Sequence, residues 1–158
     1  MSEVRLRDAE PGDASVILQM LRDLAEAVGE AEASEARLDD IERDGFGPHR
    51  HFETIIAEAE GRAAGMMVIF PTYSTYKGRP CLFVNDLYVA PWARGLGVGR
   101  LLMARACRLA LIRGCCRVEL HVLQDNPARS FYEGIGMVAS EERVYVARGQ
   151  AMEDLAEQ

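Results

Sequence analysis

The chain has 158 residues, 49% of them apolar and 27% charged, with a net charge of −7. That length suits one domain with its own core. The acidic balance argues against nucleic acid as the main partner, because phosphate binding needs clustered Lys and Arg. No apolar run approaches the ~18 residues of a membrane span, so no membrane partner is expected.

Met1-Ser2-Glu3-Val4 has no basic region leading into an apolar stretch, so no secretory leader is expected. Val4-Arg5-Leu6-Arg7 alternates and reads as a first strand. Glu10-Pro11-Gly12-Asp13 is turn chemistry, with Asp13 as the N-cap of a helix. Val16, Ile17, Met20, Leu21, Leu24 and Val28 then keep helical spacing. Gly29 breaks the run, a second helix is predicted over 34–43, and Gly45, Gly47 and Pro48 form a loop. Residues 52–59 and 63–70 read as strands joined by a tight turn at Glu60-Gly61-Arg62.

Residues 71–80 read as a polar loop carrying Tyr73, Tyr76 and Lys77, followed by a strand over 81–89. The next helix turns Val98, Leu102, Leu109 and Ile112 toward a core and stops at Gly114. A strand over 117–123 precedes a helix over 126–134, with Pro127 in its first turn. Residues 138–139 and 143–147 read as closing strands, and the tail over 148–158 is expected to fray. The order predicts a single α+β domain over 1–158, with its core over 4–147 and helices on both faces of a mixed sheet.

The most informative stretch is Arg94-Gly95-Leu96-Gly97-Val98-Gly99-Arg100, between an apolar strand and an amphipathic helix. A helix start offers unpaired N–H donors and the positive end of its dipole, and the glycines keep side chains out of the way. Such a start suits a pyrophosphate. It is not a P-loop, because Arg100-Leu101 follows Gly99 where Lys-Ser/Thr is required. Nor is it a dinucleotide fingerprint, because Arg100 stands where the third glycine should sit.

Arg94-x-x-Gly97-x-Gly99 resembles the acetyl-CoA motif of the GCN5-related N-acetyltransferase superfamily. Asp86-Leu87-Tyr88-Val89 ahead of it, Asp125-Asn126-Pro127-Ala128-Arg129-Ser130-Phe131-Tyr132 behind it and Arg5-Leu6-Arg7-Asp8-Ala9 at the start follow the same order. The residues FPTYSTYKGRPCLFVNDLYV over 70–89 are similar to the branch containing diamine and polyamine acetyltransferases. The resemblance implies a mostly antiparallel sheet of about six to seven strands, with two parallel central strands splayed into a V. It also implies a homodimer, and acetyl-CoA as co-substrate with no metal.

In that family the pantetheine arm pairs with strand backbone, here Leu87 and Val89. The pyrophosphate rests on N–H groups of residues 95–100, namely Gly95, Leu96, Gly97, Val98, Gly99 and Arg100. A backbone N–H at Leu87 or Tyr88 would polarise the thioester carbonyl. Asp125 or Asn126 would bond the pantetheine arm and Arg129 would also contact the cofactor, although helix capping serves Asp125 and Asn126 equally well.

Transfer to an amine meets a protonation barrier: at pH 7 only about one lysine-like amine in 2,500 is neutral, a deficit of ~4.6 kcal/mol. A base or an amine-depressing site must offset it. Diamine acetyltransferases carry Glu-Asp where this chain has Asn85-Asp86, so Asn85 cannot take a proton and Asp86 is left as the base candidate. Tyr132 falls where the family keeps a tyrosine beside the CoA sulfur, as proton donor to the departing thiolate.

Glu30, Glu32 and Glu35 in the first helix–helix connection, together with Asn85, Tyr73, Tyr76 and His121, are candidates for the side that takes a small-molecule amine. Solvated or packing roles compete with each. Trp92 is expected to pack near the cleft mouth. His49, His51 and His121 have no ligand spacing, so no metal is expected. Cys81, Cys107, Cys115 and Cys116 lack CxxC spacing, which fits a reducing cytoplasm. The resulting expectation is an acetyl-CoA-dependent N-acetyltransferase acting on a small primary amine by direct attack in a ternary complex. Protein acetylation and a non-catalytic acyl-CoA sensor are the alternatives.

Overall fold

A computed structural model describes residues 3–158. It falls into two compact units that divide between Asn126 and Pro127. In the first unit, β1 (Arg5–Asp8), α1 (Ala14–Ala27) and α2 (Leu38–Phe46) precede β2 (Glu53–Ala59), β3 (Arg62–Ser74) and β4 (Arg79–Val89). α3 (Val98–Ile112) and the short β5 (Val118–Glu119) complete it. The strands lie in the order β1-β2-β3-β4-β5, every pair antiparallel except the parallel β4–β5.

Successive residues of a strand point to opposite faces. Ile55 and Ile56 of β2, and Met66 and Met67 of β3, are all at most 2% exposed, so both faces of the central sheet are covered. Each such side chain contributes about 1.5–3 kcal/mol by leaving water. Ile17 and Met20 of α1 and Val98, Leu102 and Ala106 of α3 are buried as well. Glu60 and Gly61, both with positive φ (54° and 72°), make the two-residue turn from β2 to β3. That turn is the one expected.

Other expectations are corrected. Five strands form among the described residues, fewer than six to seven. The loop expected over 71–80 is a hairpin instead: β3 runs on to Ser74 and β4 starts at Arg79. Pro71 fits there because it pairs with β4 beyond the end of β2, whose last partner is Ile69, so no sheet bond needs its missing N–H. The second helix lies at Leu38–Phe46 rather than 34–43. It starts where Asp40 accepts from the Arg37 N–H at 2.9 Å.

Asp13 precedes α1 but does not cap it with its side chain. Its carboxylate accepts two bonds from Arg7, at 2.7 and 2.9 Å, and one from the Glu10 N–H at 2.7 Å. Ile112 is 79% exposed, so the core-facing stripe of α3 ends before its last residue. Gly114, with φ of 70°, does stop the helix.

The second unit holds α4 (Ala128–Gly134) and α5 (Gln150–Ala156). The closing strands expected over 138–139 and 143–147 do not form, because those segments have no ladder partner. Part of the tail expected to fray is the helix α5.

Candidate functional site: a splayed strand edge and a glycine-rich helix start

β4 and β5 stay together for two residue pairs only, Leu82 with Val118 and Phe83 with Glu119. The Leu82 N–H donates to the Arg117 carbonyl at 3.0 Å, so the main chain of Leu82 faces β5. Farther along, the register between β3 and β4 slips: Ile69 pairs with Val84 and Val68 with Asp86, leaving Asn85 as the extra residue of a bulge. The bulge inverts which residues face which neighbour. Past it, the Ala90 N–H donates to Ala64 of β3 at 2.9 Å, which turns the main chains of Leu87 and Val89 toward the edge that β5 has left. The strand over 117–123 expected from sequence ends at Glu119, and the V opens there.

The end of β4 leads through the turn Pro91–Ala93 into α3. Gly97 caps the helix with φ of 77° and Gly95 has φ of 85°, backbone that residues with a Cβ rarely adopt. No side chain caps this end. Leu101 is the first α3 amide with a backbone partner, the Gly97 carbonyl at 3.0 Å, so the N–H groups of Val98, Gly99 and Arg100 point out of the helix. Space beside Gly95 and Gly97 is open, and the side chains of Arg94 and Arg100 are exposed at the same loop. The helix start sits close against the sheet because β3 carries Gly65. A Cβ there would collide with the Tyr88 carbonyl oxygen and come within 3.0 Å of Val98 Cγ1.

At the bulge, the Asn85 side-chain amide donates to an Asp86 carboxylate oxygen at 2.8 Å. Burial pushes the Asp86 carboxyl above the usual carboxylate range, and the Asn85 bond opposes that shift in part. A carboxylate with a raised pKa is a better proton acceptor than a solvated one.

A family model described as Acetyltransferase (GNAT) family matches residues 17–137. The chain belongs to this family. Thialysine N-epsilon-acetyltransferases of Bos taurus and Mus musculus are each 31% identical to it, over 99% of this chain and 99% of theirs. The human spermidine/spermine N(1)-acetyltransferase-like protein 1 is 29% identical over 94% of this chain, which spans 23% of that protein. An integron cassette protein from V. cholerae shares the fold with a TM-score of 0.83 at 22% identity, covering 98% of both chains. As a GNAT enzyme the chain is an acetyl-CoA-dependent N-acetyltransferase.

The glycine-rich start of α3 fits the family's co-substrate. A diphosphate needs several N–H donors with little side chain in the way. Val98, Gly99 and Arg100 leave their N–H groups without a backbone acceptor beside the open space at Gly95 and Gly97, whereas the Leu96 N–H is taken by the Ala93 carbonyl at 3.3 Å. Around the GNAT splay, Phe83 stacks on Phe70 with centroids 5.1 Å apart, and His121 meets Phe83 edge-on at 4.9 Å. Glu119, the last residue of β5, accepts from Arg117 at 2.7 Å and from Thr72 at 3.2 Å.

His121 is therefore brought to the strand that carries Asn85 and Asp86. Tyr73 and Tyr76 are not: Tyr73 pairs with Pro80, five positions from Asn85, which at ~3.4 Å per residue is about 17 Å along the strand. Tyr76 is fully exposed in the turn beyond. Glu30, Glu32 and Glu35 are exposed around the turn Ala31–Ala33. The Arg62 guanidinium covers the Trp92 ring, 3.7 Å from its centroid. Asp125 is exposed, and the Asn126 N–H donates to the Leu123 carbonyl at 3.0 Å. Among the described residues no group of three or more His, Cys, Asp or Glu is arranged to hold a metal.

Tyr132 belongs to the second unit, on α4, with Phe131 edge-on at 5.1 Å. Burial raises its phenol above the ordinary tyrosine value. Arg129 on the same helix faces Glu133 at 3.8 Å. Sequence reasoning named His121 but missed Phe70 and Phe83, which read only as strand, as its neighbours. It also missed Gly65, which a glycine inside an apolar strand could have signalled.

Proposed function

We propose that the acceptor is the terminal amine of an amino-acid-like small molecule, and that it attacks the acetyl thioester directly in a ternary complex. The observation that carries this reading is the Asn85–Asp86 pair at the bulge, one carboxylate with raised basicity beside the open strand edge. Relatives whose names specify thialysine, and an Arabidopsis relative named for L-ornithine N5, support an aliphatic side-chain amine. Asn85 in place of an acid disfavours a polyamine, whose several cations ask for more than one carboxylate.

In this reading Asp86 takes the proton of the incoming ammonium, directly or through water. Leu87, whose main chain faces the splay, donates its N–H to the developing oxyanion, and Leu87 and Val89 hold the pantetheine arm as an added strand would. The amides of Gly95, Gly97, Val98, Gly99 and Arg100 hold the diphosphate, with Arg94 and Arg100 adding charge, while the Leu96 N–H stays on the Ala93 carbonyl. Tyr132 protonates the departing thiolate. A phenol is protonated at neutral pH, and burial raises its pKa further.

The family match over 17–137 crosses the boundary after Asn126, which supports treating both units as one acetyltransferase domain. A homodimer is the assembly that the family resemblance supports. Four free thiols fit a reducing cytoplasm. No helix among the described residues is long and apolar enough to cross a membrane.

Thiol release from acetyl-CoA, measured with thialysine, lysine, ornithine, spermidine and amino-terminal peptides, tests the reading. Release with the amino acids at a higher kcat/KM than with spermidine supports it. Release with peptides alone, or none despite CoA binding, contradicts it.

A further inference from the structure

Where β4 and β5 begin to pair, two cysteines face each other. Cys81 Sγ lies 3.4 Å from Cys116 Sγ. Main-chain bonds on both sides hold them there: the Cys116 N–H donates to the Pro80 carbonyl at 2.9 Å and the Leu82 N–H to the Arg117 carbonyl at 3.0 Å. Arg79 ties the same corner by donating to the carbonyls of Gly114 and Cys115, at 3.2 and 3.3 Å.

The two thiols differ in a way that suits sequential oxidation. Cys116 is half-buried, so a peroxide can reach its sulfur, which lies 4.0 Å from the Arg117 guanidinium. Cys81 is fully buried, and burial with the Cys116 contact raises its pKa. Cys107 is exposed on α3 and Cys115 is buried. Neither has a thiol partner among the described residues.

We propose that Cys81 and Cys116 form a redox-active dithiol, closed to an intramolecular disulfide by a peroxide. The Cys116 thiolate attacks a peroxide oxygen, breaking the O–O bond. It becomes a sulfenic acid while the other oxygen leaves as water after taking a proton. The Cys81 thiol then attacks the sulfenic sulfur, forming the S–S bond and releasing a second water that carries the Cys81 proton. Two electrons pass from the thiols to the peroxide. Rotation of the two side chains brings the sulfurs to the ~2.05 Å of a disulfide. The cross-link joins β4 to the start of β5 just ahead of the bulge, fixing the closed end of the V.

The test treats the full chain with hydrogen peroxide and follows intact mass, free thiols and peptide maps. Loss of two hydrogens and of two of the four thiols, with Cys81 and Cys116 linked, is expected. Dithiothreitol should reverse the change, and Tm should be higher in the oxidised form. Cys116→Ser should abolish the link and Cys107→Ser should leave it intact. Cys116→Ala, compared by circular dichroism, separates loss of the link from loss of fold. A link through Cys107 or Cys115, a sulfinic acid at Cys116 without a link, or four surviving thiols would overturn the proposal. None of these readouts depends on acetyl transfer.

Discussion

The Asn85 amide donates to the Asp86 carboxylate at 2.8 Å, although neighbours in a regular strand point to opposite faces. The bulge makes that contact available. The same irregularity turns Leu87 and Val89 outward where β5 departs. One extra residue therefore orients the carboxylate and frees the edge beside it.

Asp86→Asn is expected to lower kcat by about 10²-fold, the usual contribution of a positioned base. Burial raises the Asp86 pKa in the folded state above the usual carboxylate value of 3.8. Activity should thus fall as pH drops through that raised value. Asn85→Ala removes the opposing bond and should move this acid limb to higher pH, seen in kcat/KM profiles. A raised folded pKa means that the ionised group costs stability as pH rises through it. Asp86→Asn should therefore raise Tm at neutral pH while it lowers turnover. A variant with unchanged kcat would remove Asp86 from the chemistry.

The Arg7–Asp13 pair predicts acid sensitivity. Side-chain bonds from Arg7 hold the Asp13 carboxyl below the usual carboxylate value of 3.8. A depressed folded pKa gives stability that is present above the unfolded value and is lost as pH falls through the folded one. Asp13→Asn should cost about 1 kcal/mol at pH 7, in keeping with a partly exposed ion pair. The deficit should shrink below pH 3.8. Urea melts across that range measure it.

Gly97→Ala places a Cβ on backbone with φ of 77° and should cost roughly 1–2 kcal/mol. It should also weaken CoA binding. Gly65→Ala acts differently: φ is not the problem there, but the new Cβ strikes the Tyr88 carbonyl and Val98. It should cost about 1–3 kcal/mol through overpacking and push the first turn of α3 off the sheet. Thermal melts and CoA titrations on both variants separate strain from displacement.

The sequence made most of the cradle legible, because glycine spacing before an amphipathic helix has a local cause. The Glu60–Gly61 turn was legible for the same reason. The bulge at Asn85 was not: it depends on register against β3, a relation between residues far apart in sequence. The hairpin over Ser74 to Arg79 was hidden by polar and tyrosine residues that suit a loop equally well. Residues 143–147 alternate like a strand, yet a strand needs a partner edge, which local pattern cannot supply.

Tyr132→Phe removes the proton donor proposed for the thiolate and keeps the ring. It should lower kcat by about 10²-fold with little change in CoA affinity. Because burial raises the phenol above the ordinary tyrosine value of 10.0, the wild-type alkaline limb from this group should lie above pH 10.0 and vanish in the variant. Unchanged turnover would leave Tyr132 a packing residue beside Phe131.

The central claim is that main-chain amides of β4 and the start of α3 hold coenzyme A. Titrating CoA into 15N-labelled protein while following backbone amide resonances tests it most directly. Saturable shifts largest at Leu87, Val89, Gly95, Gly97, Val98, Gly99 and Arg100 are expected. Saturation with those amides unmoved, or no binding by folded protein, would contradict it.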